Sequence, residues 1–237
     1  MGSQELRIFE NADAVAEQAA ADLKLFILDV LSRQDELNLA VTGGTVGIKT
    51  LAEFSKVVDD SIDLNRLNIW WGDERYVPLD DSDRNSHQAE QVLLANLNIP
   101  ATNIHLFPVP GAQEHIQDAA AKFGQEFDKR NISFDLMIMG MGPDGHIASL
   151  FPGKSSLTSE SSVIAEVDSP KPPKQRLTFG LRVINESKNI WFTVAGFDKA
   201  DAVSEVISNP LCDLPAAKIS GKEETVWYLD QTASSKL

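Results

Sequence analysis

Short apolar runs alternate along the chain with longer stretches that place apolar residues at helical spacing. Residues 14–31, AVAEQAAADLKLFILDVL, are rich in alanine and leucine and predict a helix. Residues 37–41 (LNLAV) and 67–71 (LNIWW) have the length and character of buried strands. Further strands are expected over 6–9, 134–139, 163–167, 177–181, 190–195 and 226–229. Further helices are expected over 85–97, over 113–130 with its Lys/Glu pairs, and over 198–207. Such alternation predicts an α/β fold in three layers: a mostly parallel, twisted, Rossmann-like sheet with helices on both faces. No repeat or low-complexity linker interrupts it. Residues 153–175 are the most loop-like, yet VIAEV lies within them, so one domain spanning 1–237 with a long surface excursion is expected.

Open α/β sheets bind ligands at the carboxyl ends of their strands, so the turn after each strand is where a site is expected. After LNLAV comes Thr42-Gly43-Gly44-Thr45; after LNIWW comes Gly72-Asp73-Glu74-Arg75. The first is a strand–turn–helix junction, with the helix expected from about Ile48. Free N–H groups at a helix start, with a threonine hydroxyl, suit an anion. A tight turn needing glycine for backbone reasons alone would read the same way, and the GIKT segment misses the phosphate-loop spacing. The second junction sets two carboxylates and a guanidinium between WW and Tyr-Val-Pro. It reads as a surface salt-bridge cluster, or as charges with assigned partners in an apolar setting.

The third junction comes after residues 134–139. Gly140, Gly142 and Gly145 spell G-x-G-x-x-G, the dinucleotide-binding pattern, but Asp144 and His146 flank the last glycine. Asp168 stands near where the ribose-binding acid belongs, yet FPGKSSLTSESS offers no crossover helix. Asp144 would also repel a pyrophosphate. Pro143-Asp144-Gly145 is turn chemistry, and it presents His146 beside a carboxylate at a strand end. A lone histidine is commonly structural; this one is a candidate general base.

Composition narrows the partners. A hydrophobic fraction of 43% and a charged fraction of 24% are those of an ordinary globular protein. The longest apolar runs, such as LMIM and IWFTVA, are too short to cross a bilayer. The start MGSQELRIFE lacks a signal-peptide core, and Leu6 stands where myristoylation needs Ser or Thr. Cys212 is the only cysteine, which leaves no internal disulfide or cysteine metal cluster and fits a reducing compartment. Cytoplasm is the expected location. Ser235-Lys236-Leu237 spells a peroxisomal address and supplies the alternative for a eukaryotic host. A net charge of −14 argues against nucleic acid or an anionic membrane as partner. If the ligand is an anion, the few cations that hold it must be locally concentrated.

GMGPDGHIASLFPG, GDERYVP with Asn85 shortly after, the Gly-Gly loop, and KPPKQRLTFGL with GFDKADAV further on together resemble the 6-phosphogluconolactonases. The likeness covers nearly the whole chain with its motifs in the family's order. It implies a glucosamine-6-phosphate deaminase-like fold and hydrolysis of 6-phospho-D-glucono-1,5-lactone to 6-phosphogluconate in the pentose phosphate pathway. No metal or cofactor is implied, and the partner is a phosphorylated sugar lactone met by a monomer. The resemblance makes His146 the base and then the acid, with Asp144 supporting it and Arg75 stabilising charge or positioning the lactone. Gly43, Gly44 and Thr45, with Arg176 and Lys199, would hold the phosphate; without it, Arg176 and Lys199 read as ordinary surface cations. Asp73, Glu74, Asn85 and Gly145 are further site candidates. The related glucosamine-6-phosphate deaminases carry a glutamate where this chain has Phe151, which disfavours that alternative. A non-catalytic sugar-phosphate sensor has no need of the His146–Asp144 pair. Two departures stand out: Thr45-Val46-Gly47 replaces the family's usual Ser-Thr-Pro, and Arg84 replaces a serine, adding a cation expected near the site mouth.

Overall fold

A computed structural model describes residues 2–112 and 115–237. Nine strands and six α-helices are described, joined by short 3₁₀ turns: β1 (Ser3–Phe9), α1 (Ala12–Leu31), β2 (Leu37–Val41), α2 (Gly44–Val57), β3 (Leu67–Trp71), β4 (Asp73–Arg75), α3 (Asn85–Val92), α4 (Ile116–Arg130), β5 (Leu136–Met139), β6 (Val163–Glu166), β7 (Arg176–Phe179), α5 (Leu181–Asn185), β8 (Asn189–Val194), α6 (Ala200–Ser208) and β9 (Glu224–Asp230). Six strands form one sheet in the order β1-β9-β8-β5-β2-β3, every neighbouring pair parallel. Alternation along the strands sends Trp70 toward Phe127 of α4 and Trp191 toward Phe26 of α1, so helices cover both faces.

The strand order reverses between β2 and β5. From β2 the chain steps outward to β3, whereas β5, β8, β9 and β1 run the other way. A crevice opens at such a reversal, at the carboxyl ends of the flanking strands. The turns after β2 and β5 are the Gly43-Gly44 turn and the Gly140–His146 loop.

Several boundaries differ from expectation, each for a local reason. Helix α1 starts at Ala12 because the Asn11 side chain accepts from the N–H groups of Asp13 and Ala14. Helix α2 starts at Gly44, directly after the turn and not near Ile48. The helix expected over 85–97 ends at Val92, with a 3₁₀ turn over Leu94–Asn96. The expected start of α4 at Gln113 lies outside the described residues. The sheet expectation needs one correction: β6 and β7 do not join the parallel sheet. They pair antiparallel with each other and with β4, in a second sheet ordered β4-β7-β6. Strand β7 stops at Phe179, and Leu181 begins α5. Phe179 docks the small sheet onto the large one, packing against Phe107, Phe127 and Phe134.

The C-terminal tripeptide gives the peroxisomal expectation no support. Lys236 accepts from Ser204 Oγ at 2.7 Å through its backbone oxygen and pairs with Asp201 at 2.5 Å, which fastens this segment onto α6. Among the described residues no helix is long and apolar enough to cross a membrane.

Candidate active site

The loop after β5 is shaped to bring Asp144 and His146 together. A residue without a side chain is required at Gly142: a Cβ there would lie 1.9 Å from His146 Nδ1 and 2.7 Å from Asp144 Oδ1. Gly145, at φ +73°, turns the chain in the left-handed region between the two side chains. His146 Nδ1 and Asp144 Oδ1 are 2.5 Å apart. A carboxylate only accepts, so the imidazole proton sits on Nδ1 and Nε2 keeps its lone pair. Burial pushes the His146 pKa below its ordinary value, and the Asp144 carboxylate opposes this without reversing it. For Asp144, burial raises the pKa, but the hydrogen bond and charge of His146 outweigh it and the net shift is downward. The outcome near neutrality is a neutral imidazole beside an ionised carboxylate. Phe151 is buried against the imidazole, ring centroids 4.7 Å apart.

Asp73, one residue beyond the Gly72 that succeeds β3, ties the neighbouring loops together. Its Oδ2 accepts from Ser149 Oγ at 2.6 Å, and its backbone oxygen accepts from Asn85 Nδ2 at 2.9 Å. Its charge also bears on His146 and Arg176. Asn85 is buried, and its Oδ1 has no hydrogen-bond partner among the described residues. That oxygen lies against Gly43, where a Cβ would approach it to 1.9 Å. Glycine at 43 is therefore what lets the turn after β2 seat on Asn85. Beyond it, Gly44 and Thr45 are exposed at the first turn of the 14-residue helix α2, and no side chain caps that helix start. Its open N–H groups suit an anion.

Glu74 and Arg84 have structural partners. Glu74 accepts from the backbone N–H groups of Asn85 at 2.7 Å and Ser86 at 2.8 Å, capping α3 with a carboxylate. Arg84 corrects the expectation of a cation near the mouth: its side chain is 0% exposed. It lies 3.7 Å from Glu74 and donates to Ser86 Oγ and to the carbonyls of Val77 and Phe107. A buried guanidinium bonded on all sides steers nothing.

The remaining cations stand on neighbouring elements. Arg75 on β4 and Arg176 on β7 are register partners across the small sheet. Arg75 donates to the Asp83 carbonyl at 2.5 Å, and its Nε is buried without a partner among the described residues. Arg176 is 5% exposed and donates to the carbonyls of Lys171, Pro172 and Pro173. Lys199 lies beyond the end of β8 and pairs with Asp198 at 2.6 Å. Sequence reasoning passed over Ser149 and Lys171 here and weighed Phe151 only as the place of an absent glutamate. Ser149 braces Asp73, Phe151 packs on His146, and the charge of Lys171 acts on both His146 and Asp198. All three lie inside the segments that carried the family resemblance, which was the one available signal. Among the described residues no three His, Cys, Asp or Glu side chains converge as a metal site requires.

The family model for glucosamine-6-phosphate isomerases/6-phosphogluconolactonase matches residues 10–227. A Mycobacterium leprae protein named 6-phosphogluconolactonase is 34% identical over 245 residues, covering 99% of each chain. One of that name from Mycobacterium tuberculosis is 36% identical over 250 residues, again covering 99% of both. Among solved structures, the Thermotoga maritima 6-phosphogluconolactonase superposes with a TM-score of 0.85 at 27% identity, over 96% of this chain and 100% of that one. A monomeric glucosamine-6-phosphate deaminase shares the fold, with a TM-score of 0.80 at 20% identity over 98% and 100% of the two chains. Likeness of this extent in both sequence and fold, around a strand-end histidine and an open helix start, decides the matter: the chain belongs to the glucosamine-6-phosphate isomerase/6-phosphogluconolactonase family.

Proposed function

We propose that this chain is a lactonase that hydrolyses 6-phospho-D-glucono-1,5-lactone to 6-phosphogluconate, with water activated by His146. The carrying observation is the His146–Asp144 pair, its Nε2 left free to accept a proton, at the sheet's reversal point beside the glycine turn. Nε2 takes a proton from water as the oxygen attacks the lactone carbonyl, giving a tetrahedral oxyanion. Collapse breaks the bond to the ring oxygen, which leaves with the proton returned from the imidazolium. Asp144 holds the ring in the required tautomer and stabilises the imidazolium while it exists. Arg75 supplies positive charge for the lactone or the developing oxyanion.

The phosphate rests on the N–H groups of Gly44 and Thr45, seated through Gly43 on Asn85, with Lys199 and the charge of Arg176 behind it. Gly145 shapes the loop, Asp73 and Asn85 hold the two strand-end turns in register, and Glu74 supports them by capping α3. One domain over 1–237 carries the whole activity as a cytoplasmic monomer acting on a freely diffusing small molecule, with no nucleic acid or membrane involved.

The reading is tested with freshly prepared 6-phosphogluconolactone, whose spontaneous hydrolysis sets the baseline. The wild-type protein should accelerate its loss, and His146→Ala should lower kcat by roughly 10²–10⁴-fold. Glucosamine 6-phosphate should release no ammonia. Full activity in His146→Ala would remove the base from the mechanism.

A further inference from the structure

The turn that joins Asp144 to His146 is held from outside its own loop. Within the loop, the Gly145 N–H donates to the Gly142 carbonyl at 3.0 Å, and the Gly142 N–H donates to the His146 carbonyl at 2.9 Å. The Gly145 carbonyl instead accepts, at 3.1 Å, from the N–H of Ala216, far along the chain. The Leu214 side chain lies against the same glycine. A Cβ at position 145 would come within 2.8 Å of Leu214 Cδ1 and 2.9 Å of its Cβ. Gly145 is thus bonded through both of its backbone polar groups and covered where a side chain would stand.

Leu214 and Ala216 belong to a strap, residues 209–220, between α6 and β9. It lies outside every segment that carried the family resemblance, and one 3₁₀ turn, Pro215–Lys218, is its only regular structure. Both ends are pinned. At the first, Asn209 donates from Nδ2 to Glu205 Oε1 at 2.6 Å, and its Oδ1 accepts from the Leu211 N–H at 2.9 Å. At the second, Asn185 donates from Nδ2 to the Lys218 carbonyl and accepts at Oδ1 from the Ser220 N–H, each at 3.0 Å. Lys218 also pairs with Asp213 across the strap. Leu211 is 90% exposed, whereas Leu214 is half-buried against the turn. A segment fixed at both ends holds its middle with little further loss of entropy.

We propose that Leu214 is a positioning residue for the His146–Asp144 pair: with the Ala216 N–H, it fixes the Gly145 peptide so that the imidazole proton stays on Nδ1 and Nε2 stays free. This role rests on the lactonase reading and deepens it, since Nε2 is the atom that takes the proton from water. A glycine holds no conformation by itself, so the left-handed turn at 145, φ +73°, depends on contacts from outside. With that peptide free to rotate, the bond between His146 Nδ1 and Asp144 would be lost. The neutral ring would then shift toward the Nε2–H tautomer, whose Nε2 has no lone pair to act as a base.

The test follows both the ring and turnover in the full-length protein. Imidazole nitrogen NMR shifts, recorded where the ring is neutral, read the tautomer of His146, with His146→Ala assigning its signals. The wild type should hold the Nδ1–H form. Leu214→Ala should move the ring toward the Nε2–H form and lower kcat for fresh 6-phosphogluconolactone about tenfold to a hundredfold, with KM within about a factor of two. Leu214→Met keeps the volume and should restore both. Asn185→Ala frees the far end of the strap without touching Gly145, and should reproduce part of both effects. An unaltered tautomer in folded Leu214→Ala would overturn the proposal, as would a kcat that fell with the tautomer intact. If Leu214→Ala did not fold, the tautomer in Asn185→Ala would decide in the same way. If the wild type hydrolysed no lactone, the lactonase reading would fall, and the tautomer in Leu214→Ala would still decide the role of Leu214.

Discussion

At the scale of single residues, the proposed mechanism turns on how His146 is held. Burial makes the imidazole harder to protonate, and the Asp144 carboxylate makes it easier; burial is the larger effect. His146 therefore titrates below its ordinary 6.5, and the neutral form that the proposed mechanism requires is lost only as pH falls through that lowered value. Asp144→Asn removes the opposing charge, so protonation becomes harder still. The acid limb of kcat/KM should move to lower pH, while kcat falls on the order of 10²-fold as the ring loses its orienting partner. A pH–rate profile of wild type and variant decides it; an acid limb that stayed in place would remove the electrostatic role of Asp144. This pair was legible in the sequence because its members are two residues apart on one turn, and local spacing constrains them. The burial of Arg84 was not, because packing against Glu74 and Phe107 sets it and no local spacing does.

At the scale of elements, β4 carries the clearest lesson. Asp73-Glu74-Arg75 has no apolar alternation, and nothing in it announces a strand; β7 makes it one by pairing. The same three residues diverge in role once folded. Glu74 caps α3 and pairs with Arg84, and both are fully buried. Burial raises the Glu74 pKa and lowers that of Arg84, so for each partner desolvation outweighs their mutual attraction. Such a pair contributes little relative to apolar replacements, but removing one charge strands the other. Glu74→Gln should destabilise the protein by about 3–5 kcal/mol, read from denaturant unfolding, while the folded variant keeps most of its kcat. Loss of kcat without loss of stability would instead place Glu74 in the catalytic machinery.

At the scale of the whole molecule, a net charge of −14 sets off the cross-strand pairing of two basic residues, Arg75 on β4 and Arg176 on β7. Away from the crevice, the edge of the sheet holds a separate pH-sensitive contact. His105 stacks on Trp70 with ring centroids 3.9 Å apart, and its Nε2 lies 3.0 Å from Asn68 Oδ1. Burial, aided by the charge of Arg130, lowers its pKa to about 4. Between about 6.5 and about 4 the unfolded chain binds a proton that the folded protein refuses. This contribution is thus fully present above 6.5, is lost as pH falls, and levels off below about 4. His105→Phe keeps a stacking ring without the proton site. Its stability relative to wild type should improve steadily across that window, measured by denaturant unfolding at several pH values. A difference independent of pH would remove His105 from the acid response.

What the sequence by itself determined was whatever rests on local spacing. Helical and strand periodicities placed the elements of the parallel sheet, and the polar turns after 37–41, 67–71 and 134–139 marked the end of the sheet where a site is expected. The Asp144–His146 turn was legible for the same reason, since a few consecutive dihedral angles set it. Tertiary structure alone decided which distant residues share an environment. It drew β6 and β7 away from the parallel sheet, buried Arg84 and Glu74 as a cap, and pressed Asn85 against Gly43. It also turned Arg176 inward, onto the carbonyls of residues 171–173. A charged residue's role depends on its solvent exposure and on which partners lie within a few ångströms. Those are properties of the packed chain, and no local pattern encodes them.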